Sequence, residues 1–127
     1  MSFTNKTVIG VCVDHSEALL IHTPDKSNDG IYEVSAKIHN KHHSDHTHSE
    51  NTHNHKKAQE LHKYYDEISK QIQGYDAILL FGIGKAQEEL KNYLSENKQF
   101  QGKNIIVKAS DKLTHNETIA FVKKSFV

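Results

Sequence analysis

Imidazole is the most chemically versatile side chain in this sequence, and it is concentrated in one place. Residues 39–55 read HNKHHSDHTHSENTHNH, in which seven of seventeen residues are histidine and none is apolar. Neutral imidazole ligates Zn²⁺, Ni²⁺ and Cu²⁺. His42 and His46, at i and i+4, would meet on a helical turn, while His46/His48 and His53/His55 are His-x-His pairs that face one way on an extended backbone. No His-Glu-x-x-His pattern accompanies them, so the spacing suits plural, buffering-type metal binding rather than a catalytic zinc centre. The lysines offer a second chemistry. Lys56 and Lys57 stand in the expected first turn of the helix that follows, where the macrodipole is positive and disfavours cations. An RNA phosphate docked there would relieve that conflict. Lys41 and Lys63 would extend the patch, and protonation of the histidines below their ordinary pKa of ~6.5 would strengthen it. The third reading needs no ligand: a polar insertion that stays in water because it has nothing to bury.

Other residues with chemical potential have sufficient structural roles. Cys12 is the only cysteine and lies inside the apolar run Val8 to Val13, where it reads as a small buried hydrophobe. Asp14 ends the first expected strand and reads as a turn residue. Glu60, Asp66 and Glu67 read as the solvated face of a helix, and the fourth strand runs out at Leu80-Phe81-Gly82-Ile83-Gly84 without an acid. A two-metal nuclease needs carboxylates holding ions ~4 Å apart at those places, so a nuclease is not indicated. Gly82-Ile83-Gly84-Lys85 lacks the spacing of a phosphate-binding Walker loop and reads as a tight turn packing a helix against a strand. His62 lies beside the apolar stripe of its helix, in the place of a partly buried, hydrogen-bonded histidine. His15, His22 and His115 fall at a turn, a strand end and a helix cap.

Composition narrows the field further. The 127 residues suffice for one core and a single domain, residues 1–127, with the histidine-rich loop inserted at 39–57. Sixteen basic residues balance sixteen acidic ones, so no global field draws in nucleic acid or membrane. Every basic residue is lysine, and a chain without arginine lacks the bidentate fork that reads guanine or phosphate. A lone cysteine permits no intrachain disulfide. With no apolar stretch of signal-peptide length at the N-terminus and no run near ~20 residues, the expectation is a cytoplasmic protein.

The elements that must position these groups follow from periodicity. Thr7 to Val13 is nearly continuous in apolar character, as in a strand covered on both faces. Turn formers lead to a second strand, Glu17 to His22, and an Asp-Gly turn leads to alternation over Ile31 to Ile38. After the insertion, Ala58, Leu61, Tyr65, Ile68 and Ile72 form one helical stripe ending near Gly74. Asp76 to Phe81 is a short buried strand, Ala86, Leu90, Tyr93 and Leu94 mark a helix, and Lys103 to Ala109 is a fifth strand. Thr114 and Glu117 have capping-box spacing ahead of a helix carrying Ile119, Val122 and Phe126. The order βββ-α-β-α-β-α, with strands four and five parallel through a right-handed crossover, predicts an α/β domain of the ribonuclease H-like fold with a five-stranded mixed sheet.

With these elements in place, most of the chain resembles the middle domain of the class I peptide-chain release factors of eukaryotes and archaea and of Pelota, and is similar to stand-alone release-factor-like proteins. Leu61-His62-Lys63-Tyr64-Tyr65 with Ile68 resembles the long helix after the family's catalytic loop. Leu80-Phe81-Gly82 to Glu89-Leu90 resembles its strand, small-residue turn and helix, and His115-Asn116-Glu117 with Ile119 the start of its last helix. The hairpin VCVDHSEALLI fits its opening strands. The resemblance implies a ribosome or tRNA partner. In release factors, the loop before the long helix carries Gly-Gly-Gln, where the glycines shape the backbone and the glutamine positions the attacking water. The histidine-rich stretch here has neither residue, so peptidyl-tRNA hydrolysis does not carry over. Pelota also lacks the tripeptide.

Two expectations emerge: a non-catalytic, translation-related protein with no required cofactor, or a protein that binds Zn, Ni or Cu through the insertion. Calorimetry checks the second. Zn²⁺ or Ni²⁺ binding of micromolar class is expected for the whole chain and should vanish when residues 39–55 are deleted; unchanged binding would sink it.

Overall fold

Hydrophobic strands that are apolar on both sides must be covered on both faces, and that requirement shapes the molecule. The structure, a computed structural model, describes residues 6–25, 30–40 and 50–127, with only the backbone for 50–57. Strands β1 (Val8–Val13), β2 (Glu17–His22) and β3 (Glu33–His39) are followed by helix α1 (Glu50–Ile72). Then come β4 (Ala77–Gly82), α2 (Ala86–Ser95), a short 3₁₀ turn at Lys98–Phe100, β5 (Asn104–Ala109) and α3 (His115–Phe126).

The sheet order is β3-β2-β1-β4-β5. β1 pairs antiparallel with β2, β2 antiparallel with β3, and β4 parallel with both β1 and β5. Only β2 therefore opposes the rest, and the carboxyl ends of β1, β3, β4 and β5 lie along one edge. This is the ribonuclease H-like arrangement that the element order predicts. β4 sits at the centre of the parallel half and is buried at all six positions.

Alternation along the strands sends side chains to both faces of the sheet, so the single core expected from the chain length is divided by the sheet into two clusters. Ile9, Val11, Val13, Ile78 and Leu80 pack beneath α1 and α2 with Tyr65, Ile68, Ile72, Leu90 and Leu94. On the opposite face Val8, Ile21, Leu79 and Phe81 pack against Val122 and Phe126 of α3. Phe81 stacks on Phe121 with ring centroids 4.5 Å apart. One twelve-residue helix does not cover this second face fully, and Cys12, Leu19, Val34 and Ile106 stay only partly buried.

Local chemistry explains the boundaries. The Thr114 hydroxyl accepts from Glu117 N at 3.2 Å, and the Glu117 carboxylate accepts from Thr114 N at 2.9 Å, closing the expected capping box. At the end of β4, a Cβ on Gly82 would lie 2.5 Å from the Val13 carbonyl oxygen, so only glycine lets β1 and β4 end side by side. Gly84 has open space around it, so the tight packing expected of this turn rests on Gly82 alone. Two boundaries differ from expectation. β3 begins at Glu33, leaving Ile31 outside the strand and 80% exposed. α1 begins at Glu50, well before Ala58, and its first residue with a described burial below the surface is Glu60.

Replacing Gly82 with alanine forces the Val13 carbonyl aside. The expected loss is about 1–3 kcal/mol in urea unfolding, with an unchanged slope. Gly84→Ala, facing open space, should cost less.

Candidate functional site

Ser16 and Glu17 need a turn acceptor before β2 can run back along β1, and Asp14 supplies it. Its Oδ1 accepts from Ser16 N at 2.6 Å and from Glu17 N at 2.8 Å, while Asp14 N donates to Glu17 O at 3.0 Å. This carboxylate thus shapes a turn, as its position predicts. Each of the turn's three carbonyls finds a donor from elsewhere in the fold. Tyr64 Oη on α1 donates to Asp14 O at 2.9 Å. Asn40, directly after β3, donates from Nδ2 to His15 O at 3.0 Å and from its backbone N to Ser16 O at 2.8 Å. The His15 ring reaches α2, with Nε2 2.9 Å from Glu89 Oε1, and the same oxygen accepts from Tyr65 Oη at 2.8 Å.

Asn40, at the start of the histidine-rich stretch, and two tyrosines of the helix after it are therefore tied to one small region. Burial, reinforced by Asp14, pushes the Tyr64 phenol well above its ordinary range, and burial with the bond to Glu89 does the same for Tyr65. Both stay protonated donors at any physiological pH. Farther along the α1–α2 groove, Asp66 Oδ1 accepts from Tyr93 Oη at 2.9 Å and its Oδ2 pairs with Lys70 at 3.2 Å. The bonds from Tyr93 and then Lys70 hold the Asp66 carboxyl below the usual carboxylate range. Cys12 faces the α3 side, and burial, with Asp14 and Glu17 adding to it, pushes its thiol up to about 11. It is protonated and poorly nucleophilic at neutral pH, in keeping with its reading as a small hydrophobe.

The residues singled out in the sequence fall as follows. Lys41, His42, His46 and His48 lie outside the described residues. His53 and His55 lie on the helical backbone of α1, so the extended spacing invoked for that pair is not the backbone they have. Lys56 and Lys57 sit beyond the first turn of a helix that starts at Glu50, which removes the macrodipole conflict attributed to them. Lys63 is exposed on α1. His62 is exposed as well, correcting its expected partial burial, and meets Tyr93 edge-on at 5.2 Å. Glu60, expected on the solvated face, is 7% exposed, whereas Ala58, assigned to the apolar stripe, is exposed. Among the described residues no group of three His, Cys, Asp or Glu side chains is placed to hold a metal ion.

Three positioning residues escaped the sequence reading. Asn40 looked like part of the polar insertion, and Tyr64 stood one place off the apolar stripe. Gln87 lies in a helix's first turn yet is 1% exposed, donating from Nε2 to Gly82 O at 3.2 Å and to Gly84 O at 2.9 Å. A polar residue flanked by buried positions is the one available signal, and it does not say which carbonyl it seeks.

The sheet order, the lone antiparallel β2 and the two-faced helical cover define a ribonuclease H-like α/β domain whose first helical crossover leaves at the carboxyl end of β3. The same fold occurs in the crystal structure of Pelota from Thermoplasma acidophilum, which superposes with a TM-score of 0.64 at 14% identity over 99% of this chain. Archaeoglobus fulgidus Pelota gives 0.62 at 11% identity over 94% of it. The chain spans 35% and 31% of those two proteins. No protein-family model and no curated protein sequence matches it. Among the described residues no helix is long and apolar enough to cross a membrane.

Tyr64→Phe removes the donor to the Asp14 carbonyl and nothing else. A loss of ~1 kcal/mol is expected in chemical unfolding, and amide exchange at Ser16 and Glu17 should accelerate.

Proposed function

We propose that this chain is a translation-related module that associates with the ribosome or tRNA and carries no hydrolytic activity of its own. The observation that carries the reading is the Pelota-like fold over 99% of the chain, combined with the position of the histidine-rich stretch. That stretch leaves the sheet between β3 and α1, the connection that carries Gly-Gly-Gln in the release factors this sequence resembles. Lacking glycine and glutamine there, the chain is proposed to contact RNA rather than to direct water at an ester. Lys56, Lys57 and Lys63 are carried on α1, and Lys41 precedes it in the same connection. With no arginine and no net charge at neutral pH, such contacts read a phosphate backbone and not a sequence.

Co-sedimentation with ribosomes at several salt concentrations tests the proposal. Association is expected to weaken as salt rises, and to weaken further when Lys41, Lys56, Lys57 and Lys63 are all changed to alanine, with a shallower salt dependence. If nothing co-sediments at low salt while Zn²⁺ or Ni²⁺ binds, the insertion's role is metal binding instead.

A further inference from the structure

The α3 face of the sheet contains a cleft that the foregoing reading leaves unused. It opens beside the carboxyl ends of β1 and β4 and has a volume of about 330 Å³, within the range of small-molecule sites. β1 leads toward β2 on one side of the sheet and β4 toward β5 on the other. The gap between their carboxyl ends is thus where the winding reverses, the place at which open α/β sheets form ligand crevices. The short α3 leaves it uncovered. Its floor and walls are apolar, from Cys12, Val13, Leu19 and Leu113. At its lip stands Ile83, held between two glycines and 64% exposed. A large aliphatic side chain presented to water beside an apolar hollow gains by having something seated against it.

Charge at the mouth selects what that would be. Asp14, Glu17, Asp111 and Lys112 line it. Glu17 is engaged by Lys37 at 3.0 Å, which leaves Asp14 and Asp111 against Lys112 alone. The turn uses Asp14 Oδ1, and Oδ2 has no partner among the described residues. We infer that this cleft binds a primary ammonium carried on a short aliphatic stem, the stem lying along Leu19, Ile83 and Leu113 and the cation meeting Asp14 and Asp111. The free amine and the lysine side chain of a polypeptide share this chemistry. The inference is independent of any role at the ribosome.

Amide NMR titration of the full chain with pentylammonium chloride, pentanol and sodium pentanoate tests it. The ammonium should shift the amides of Leu19, Ile83 and Leu113 saturably and bind roughly tenfold or more tighter than the alcohol or the carboxylate. Asp14→Asn retains the turn's Oδ1 acceptor, and Asp111→Asn lies on the surface; either should reduce that preference several-fold, whereas Ile83→Ser should weaken the ammonium and the alcohol alike. A blocked Gly-Lys-Gly peptide that shifts the same amides supports a lysine side chain as the ligand; if only pentylammonium does so, a free amine is supported. Equal binding of pentanol and pentylammonium, shifts confined to other surfaces, or no saturable shift would overturn the inference.

Discussion

Parallel pairing of β1 with β4 sets the position of nearly every other part of this chain. Both strands are interior to the sheet, and β4 is buried at every position, so neither tolerates an uncovered side. Helices must then lie on both faces, and the two strands admit them differently. At Gly10 on β1 a Cβ would come within 2.5 Å of a Val122 methyl, so the missing side chain lets α3 settle directly on the sheet. At Gly82 the same economy brings the strand ends together, with the Gln87 amide clasping the turn that follows. The pairing thereby fixes where α2 starts, and so where Glu89 can meet His15.

Around that frame, the β1–β2 turn acts as a junction between parts distant in sequence. Its three carbonyls and one imidazole connect β3, α1 and α2 through neutral or singly charged hydrogen bonds. Such bonds are individually modest, but they share donors and acceptors. Glu89 serves both His15 and Tyr65, and Asp14 closes its own turn while its carbonyl takes Tyr64. Loss of one partner strands another, which gives the region a rigidity that burial alone would not, since the turn itself is largely exposed.

Much of this is legible in the sequence, and the exceptions have physical reasons. The strands announced themselves through β-branched runs and alternation, and the last helix through a capping box that formed as spelled. The start of α1 was hidden because Asn, Thr and His are middling or poor helix formers and offer no apolar periodicity. The helix nevertheless runs from Glu50. Lysines that seemed misplaced at a helix terminus are simply further in. Burial of Glu60 and Gln87 and exposure of Ala58 depend on where the helices land on the sheet, which periodicity does not specify. Asn40 was unreadable for another reason: its role depends on the His15 and Ser16 carbonyls, twenty-odd residues away in sequence and adjacent only after β2 and β3 pair.

The length of α1 has a mechanical consequence. At 23 residues the helix is about 34 Å long, whereas six-residue strands span about 20 Å. Its attachments to the junction come at Tyr64 and Tyr65, past its midpoint. A ten-degree tilt pivoting on Glu60, where burial begins, would carry the start of the helix, about 15 Å away, through about 3 Å. A load on the histidine-bearing arm would then reach the β1–β2 turn through the packed half of the helix, by way of Tyr64 and Tyr65.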